Sequence, residues 1–310
     1  MYNYLIALII ISAVFVVIER ARPRHPEQGF VRPRLLSDLA YFIVNGHLLG
    51  VGLALASEPL VRWVQARLEL AAGAGWWTAD VAATWPLWVQ LVVAFFVLDL
   101  LQWCVHNLLH RVPALWAIHK VHHSIRHMDF WGSLRFHWGE ILVYRTLLYL
   151  PGVWFGFDGG VLFALALIST TIGHFNHANL DVGLGPLGKV LNNPRMHVWH
   201  HHNDEGHPVL INFGINLSLW DYLFGTAHVP ERPPEALGFP DVEEYPQTFL
   251  GQLVYPLPAE RWVRRLRNRT PAGALPASEI TDRAPRTDSS PLHDGPETSA
   301  SPGAGERAQR

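Results

Sequence analysis

The run YNYLIALIIISAVFVVI, residues 2–18, contains no charged side chain. It is about long enough to cross a ~30 Å hydrocarbon core as one helix, the simplest fold that satisfies every backbone polar group inside lipid. The basic residues Arg20, Arg22, Arg24, Arg32 and Arg34 follow the run. A cleaved signal peptide requires the reverse order and a small-residue cleavage site. The run therefore reads as an uncleaved first span with its C-terminal end in the cytoplasm, by the positive-inside rule. Further apolar runs cover 36–57 and 84–104, and the segment between them, with few basic residues beyond Arg62 and Arg67, is expected outside the cytoplasm.

A last apolar stretch, 141–173, is interrupted at Pro151-Gly152 and at GFDGG, 156–160. It reads as two short membrane helices or a re-entrant hairpin turning near GFDGG. That choice rests on the histidines described below, which must end on one side of the membrane. The resulting expectation is an all-α integral-membrane protein with about 4–5 membrane segments and a cytoplasmic helical cap. Three regions are expected: N-terminal spans and an extracytoplasmic loop at 1–83, a catalytic domain at 84–268, and a tail at 269–310. The tail is rich in Pro, Ala, Gly, Ser and charged residues and cannot bury enough surface to order itself.

The near-neutral balance, a net charge of −2, shows no sustained basic face and argues against a nucleic-acid partner. A single cysteine, Cys104, leaves no disulfide framework and no thiolate metal site within the chain. Any metal must be held by nitrogen and oxygen. Fourteen of the eighteen histidines lie between His106 and His207. HNLLH places His106 and His110 at i, i+4, on one helical face. HKVHH places His119, His122 and His123 at i, i+3, i+4, and HVWHH repeats this at His197, His200 and His201. In HFNHAN, His174 and His177 stand at i, i+3.

A neutral imidazole offers one ring lone pair to a metal. These groups supply His106, His110, His119, His122, His123, His174 or His177, His197, His200 and His201. That is too many for one tetrahedral zinc and suits two ions with open positions. Clustered imidazoles repel when protonated and need partners when buried, so packing alone does not explain them. His25, His47, His228 and His293 stand alone; His202 points away from His197 and His201; His127 and His207 are at most outer groups. His137, in LRFHWGE beside Glu140, is a further possible ligand or outer residue. All-imidazole sites accept zinc, copper, iron or nickel, so the donors alone do not choose the metal.

Together HNLLH, HKVHH, HFNHAN and HVWHH, followed by NFG at 212–214 and LWDYLFGT at 219–226, resemble the sterol desaturase and fatty acid hydroxylase superfamily of membrane di-iron oxygenases. The order of motifs is kept from about residue 95 to residue 226; the N-terminal spans and the tail are not covered. The resemblance maps His106, His110, His119, His122, His123, His177, His197, His200 and His201 onto the family's metal ligands. It ranks His177 above His174 and leaves His137 open, because Trp138 replaces a proline usual in the family segment. Trp220, Asp221 and Gly225 resemble a structural closing element. It implies two iron ions, with zinc able to replace them in a purified sample, and O2-dependent hydroxylation or desaturation of an unactivated C–H bond in a lipid such as a sterol or fatty acyl chain.

No G-x-G-x-x-G fingerprint, cysteine set or fused haem domain is visible, so electrons are expected from an external ferredoxin or cytochrome with its reductase. The competing readings are a zinc hydrolase and a metal- or haem-binding membrane protein. The first expects a carboxylate base among the boxes. A transporter expects ionisable groups in mid-span, for which His47, Asp99 and Arg145 are the notable candidates.

Overall fold

The structure, a computed structural model, describes residues 4–52 and 80–256, with scattered positions between 55 and 70. Most of the expected extracytoplasmic loop, and everything beyond 256 including the expected tail, lies outside the described residues. In chain order the helices are α1 (Tyr4–Ala21), α2 (Leu35–Ile43), α3 (Leu87–Arg111), α4 (Pro113–His123), α5 (Trp138–Tyr144), α6 (Leu150–Trp154), α7 (Gly159–His177), α8 (Pro194–His200), α9 (Leu219–Phe224) and α10 (Phe249–Val254). Among the described residues, strand-like pairing is limited to two isolated bridges, Leu191 with Leu217 and His202 with Leu237. The protein is all-α, as expected.

Among the described residues, four helices are long and apolar enough to cross a membrane: Tyr4–Ala21, Leu35–Gly52, Leu87–Arg111 and Gly159–His177. On α1, Ile6, Ile9, Ile10, Val14 and Val17 are exposed while Ser12 and Glu19 are buried. That is the inverse of a soluble amphipathic helix, and it fits a surface whose solvent is lipid. Glu19 Oε1 accepts from the backbone N–H groups of Phe130 (2.9 Å) and Asn179 (2.8 Å), locking the end of α1 to loops of the histidine-rich region.

The apolar stretch beyond residue 141 divides near GFDGG as expected. α5 and α6 are joined by a π-helical turn at Arg145–Tyr149, and a short non-helical segment, 155–158, separates α6 from α7. The Asp158 side chain caps α7 by accepting from Gly160 N (2.8 Å) and Val161 N (3.4 Å). Pro151-Gly152 does not break the helix. The π-turn immediately before it alters the hydrogen-bond ladder where proline lacks its N–H.

Two buried aspartates bolt the 212–221 loop to α3. Asp99 accepts from Asn216 N (3.1 Å), Asn216 Nδ2 (2.8 Å), Leu217 N (3.1 Å) and Trp220 Nε1 (2.8 Å). Asp221 accepts from Phe213 N (2.8 Å), Gly214 N (2.7 Å), Trp103 Nε1 (3.0 Å) and Thr226 Oγ1 (2.7 Å). An ionisable residue in a span is by default a functional candidate; Asp99 instead has its oxygens occupied by loop donors. Gly214 approaches so closely that a Cβ there would lie 2.4 Å from Leu217 O. Gly225 ends α9 at φ 74°, a left-handed cap that favours glycine. Asp221→Ala would strand four donors and is expected to cost at least ~3 kcal/mol. Thermal unfolding of the purified protein in detergent checks this.

Candidate metal centre

Short, firmly capped segments carry the boxes. α3 brings His106 and His110 in its last turns, then a single extended residue, Val112, and Pro113 at the first helical position start α4 with HKVHH. α7 ends on His177. α8 opens with the Asn193 side chain accepting from Met196 N (3.1 Å), and Pro194 follows at its first position, which fixes the register of HVWHH.

The nine histidines of the three boxes and His177 converge into two groups, each with ligand nitrogens within 4.8 Å of one another. The first holds His106, His110, His119, His123 and His200; the second holds His122, His177, His197 and His201. Each HxxHH box is therefore shared between the groups, rather than presenting its three imidazoles to one point. Residues four apart differ by about 40° around a helix and residues three apart by about 60° in the other sense. His119 and His123 thus stay together while His122 swings to the second group; His197 and His201 stay together while His200 swings to the first.

The protons on these rings are partly set by their outer partners. His106 Nδ1 donates to Phe213 O (2.8 Å), His200 Nδ1 to Ile211 O (2.9 Å) and His177 Nδ1 to Gly173 O (2.8 Å). A carbonyl only accepts, so in the neutral rings each Nε2 is left as a lone pair. Asp221 reaches this network indirectly, since it holds the Phe213 amide whose own carbonyl orients His106. The buried Nε2 atoms of His110, His123 and His200 have no hydrogen-bond partner. In the second group Nε2 of His177 lies 3.3 Å from that of His122 and 3.1 Å from that of His197. Unpartnered, desolvated lone pairs aimed at one another are costly unless a cation lies among them. The donor sets fit two metal ions.

Electrostatics keep the rings ready for that role. Burial first, and then neighbouring imidazoles, hold His119, His122, His123, His197, His200 and His201 well below the ordinary histidine pKa. They are neutral at physiological pH. In the unfolded chain these rings take up protons below about pH 6.5, whereas the folded chain resists. Stability of the metal-free protein is therefore full above that value. It falls as pH drops through it, by up to ~1.4 kcal/mol per pH unit for each such ring. Melting temperatures of chelator-treated protein between about pH 8 and about pH 5 are expected to be flat and then to fall steeply.

Two histidines weighed as ligands, His174 and His137, lie outside both groups. His174 Nδ1 donates to Ser133 Oγ (2.9 Å), whose own hydroxyl donates to Phe130 O, and His174 Nε2 accepts from Ser12 Oγ (3.0 Å). It ties α1 to α7. His137 caps α5 by accepting from Gly139 N at Nδ1 (3.0 Å), and its Nε2 donates to Leu253 O (2.9 Å). His202 Nε2 bonds Pro208 O (2.9 Å), shaping the turn after the box.

The outer residue the boxes do not announce is Glu140, fully buried, with Oε1 2.8 Å from His119 Nδ1. Burial pushes its carboxyl well above the ordinary range. A glutamate at the mouth of an apolar run was its one sequence signal.

Fold and site together define a helical integral-membrane protein with a histidine-box centre. Comparison with known proteins narrows the class. Residues 91–226 match the fatty acid hydroxylase family, which together with the relatives supports the resemblance of the boxes to the sterol desaturase and fatty acid hydroxylase superfamily. It is 27% identical to the ornithine lipid hydroxylase of Rhizobium tropici over 79% of this chain and 72% of that protein. Alkylglycerol monooxygenases are also similar: that of Danio rerio is 30% identical over 46% of this chain and 31% of its own length, and that of Homo sapiens 27% over 43% and 29%. The chain thus spans under a third of those longer relatives. No solved structure matches it. The chain is an O2-dependent oxidoreductase of a lipid-hydroxylase family.

Proposed function

We propose that the nine clustered histidines hold two iron ions and that the chain hydroxylates an unactivated C–H bond of a membrane lipid. The observation carrying this reading is the pair of all-imidazole groups, five and four rings, buried at the ends of α3 and α7. Bound iron would supply O2 activation and C–H oxidation. The chain's own residues supply the rest: carbonyls of Phe213, Ile211 and Gly173 orient the rings, burial keeps them neutral, and the spans bring an acyl chain alongside without crossing water. The relatives' names, an ornithine lipid hydroxylase and alkylglycerol monooxygenases, favour hydroxylation over desaturation and a polar lipid over a sterol. A zinc hydrolase reading lacks a carboxylate within either group.

The basic residues after α1 favour a cytoplasmic site, within reach of a ferredoxin or cytochrome as electron donor. The test is incubation of membranes containing the chain with a donor system and ¹⁸O2. One labelled oxygen per product lipid is expected. Unlabelled product, or turnover without O2, would contradict the proposal.

A further inference from the structure

We infer that a cavity beside the second imidazole group, lined by Arg32, Arg34, Arg126 and Arg135, receives the oxyanion headgroup, phosphate or carboxylate, of the lipid that the centre oxidises. This rests on the lipid-hydroxylase reading and names the part of the substrate that fixes its position.

The cavity has a volume of about 230 Å³, and four of its lining side chains are guanidiniums against one carboxylate, Asp38. Two of the cations are matched. Arg32 forks onto Asp129 through Nε (2.5 Å) and Nη2 (2.6 Å) and reaches Asp38 through Nη1 (2.8 Å). Arg135 Nε also pairs with Asp38 (2.5 Å). That leaves Nη2 of Arg135, on a side chain only 3% exposed, buried with no hydrogen-bond partner. Nε and Nη2 of Arg126 are likewise buried and unpartnered, its Nη1 pairing with the exposed Glu243. Among the described residues Arg34 forms no ion pair with a carboxylate; it donates to Ser124 O (3.3 Å).

Arg34 also sits at φ 71°, a left-handed conformation costly for a residue with a Cβ. Such strain persists where surroundings impose it, often at ligand sites. Unpaired buried guanidinium donors of this kind match the forked geometry of a phosphate or carboxylate.

Position supports the same ligand. Arg32 and Arg34 lie between the end of α1 at Ala21 and the start of α2 at Leu35, at the level of helix ends where lipid headgroups sit. The wall towards the centre is thin. Gly132 lines the cavity, and a Cβ added to it would lie 2.8 Å from Ile125 Cδ1 and 3.7 Å from Cδ2 of His177, a member of the second group. An oxyanion held here leaves its acyl chain next to the imidazoles.

The test uses full-length iron-loaded protein in neutral-detergent micelles and measures binding of three probes: phosphatidic acid, an N-acyl amino acid carrying a free carboxylate, and diacylglycerol. Both anionic lipids are expected to bind at least tenfold more tightly than diacylglycerol. Inorganic phosphate at equal concentration is expected to compete poorly. Combined Arg34→Gln and Arg126→Gln should abolish the preference with iron content unchanged. Glu243→Gln, at an exposed site that frees Arg126, should tighten anionic binding severalfold, and it decides the matter if the double variant fails to fold.

Equal binding of all three lipids, or no change in the variants, overturns the inference. Inorganic phosphate binding as tightly as the lipids overturns it in favour of a free-anion site. Charge-selective binding without O2-dependent oxidation would instead remove the lipid-hydroxylase reading. Oxidation of a neutral lipid, unaffected by the variants, would remove only the headgroup site.

Discussion

His197→Ala is expected to reduce oxygenation more than 100-fold and to release the metal of the second group, exceeding the ~10–100-fold typical of outer residues. His197 and His177 place their Nε2 atoms 3.1 Å apart, and His197 lies 3.2 Å from His201 in the same way. The second group has four rings, so loss of one leaves three donors and a cavity where an imidazole was. The first group, with five, should keep its ion. His174→Ala is the matched control, since His174 stands three residues before His177 on the same helix but bonds Ser12 and Ser133 and belongs to neither imidazole group. It should retain both ions and lower thermal stability by about 1–3 kcal/mol, because the Ser12 hydroxyl loses its acceptor while Ser133 keeps its bond to Phe130 O. Metal content and melting temperature of the two variants, measured side by side, check the distinction between ligand and strut.

Glu140→Gln carries the second large expected effect. Its carboxyl oxygen is 2.8 Å from His119 Nδ1, and among the described residues no lysine or arginine is in ion-pair contact with it. A carboxylate behind an imidazole fixes the ring's orientation and raises the basicity of the far nitrogen. The amide keeps the shape of the side chain and removes the charge. Affinity of the first group for ferrous iron is expected to drop ~10–100-fold, with the second group unchanged. Competition with a chelator of known affinity reads this directly. A purely structural Glu140 would lower the melting temperature and leave metal affinity alone, whereas Glu140→Asp should recover part of the affinity.

Much of this arrangement was legible in the sequence because its signals are local. Charge-free runs announce spans, and i, i+3, i+4 histidines announce helix-borne clusters, each readable within a dozen residues. What stayed hidden depends on contacts between distant segments. The spacing of HKVHH sets the angle between His122 and the His119–His123 pair, but which distant rings complete each group depends on where α7 and α8 approach α4. His174 and His177 share one helix and only the family resemblance ranked His177 higher; the physical reason, the arrival of Ser12 and Ser133 at His174, lies in distant segments. Asp99 read as a lone charge in a span because its four donors lie over a hundred residues away. The arginines after α1 read as a topology signal; their convergence with Arg126 and Arg135 on one cavity is a property of the folded chain.

The proposed di-iron centre is tested most directly by metal stoichiometry. Full-length protein should be stripped under mild conditions, reloaded anaerobically with ferrous iron, freed of excess and assayed for iron, zinc and haem. Two groups of five and four imidazoles predict about two irons per chain. Retention of a single ion at saturation, a preference for one zinc that iron cannot displace, or haem absorbance would contradict the account.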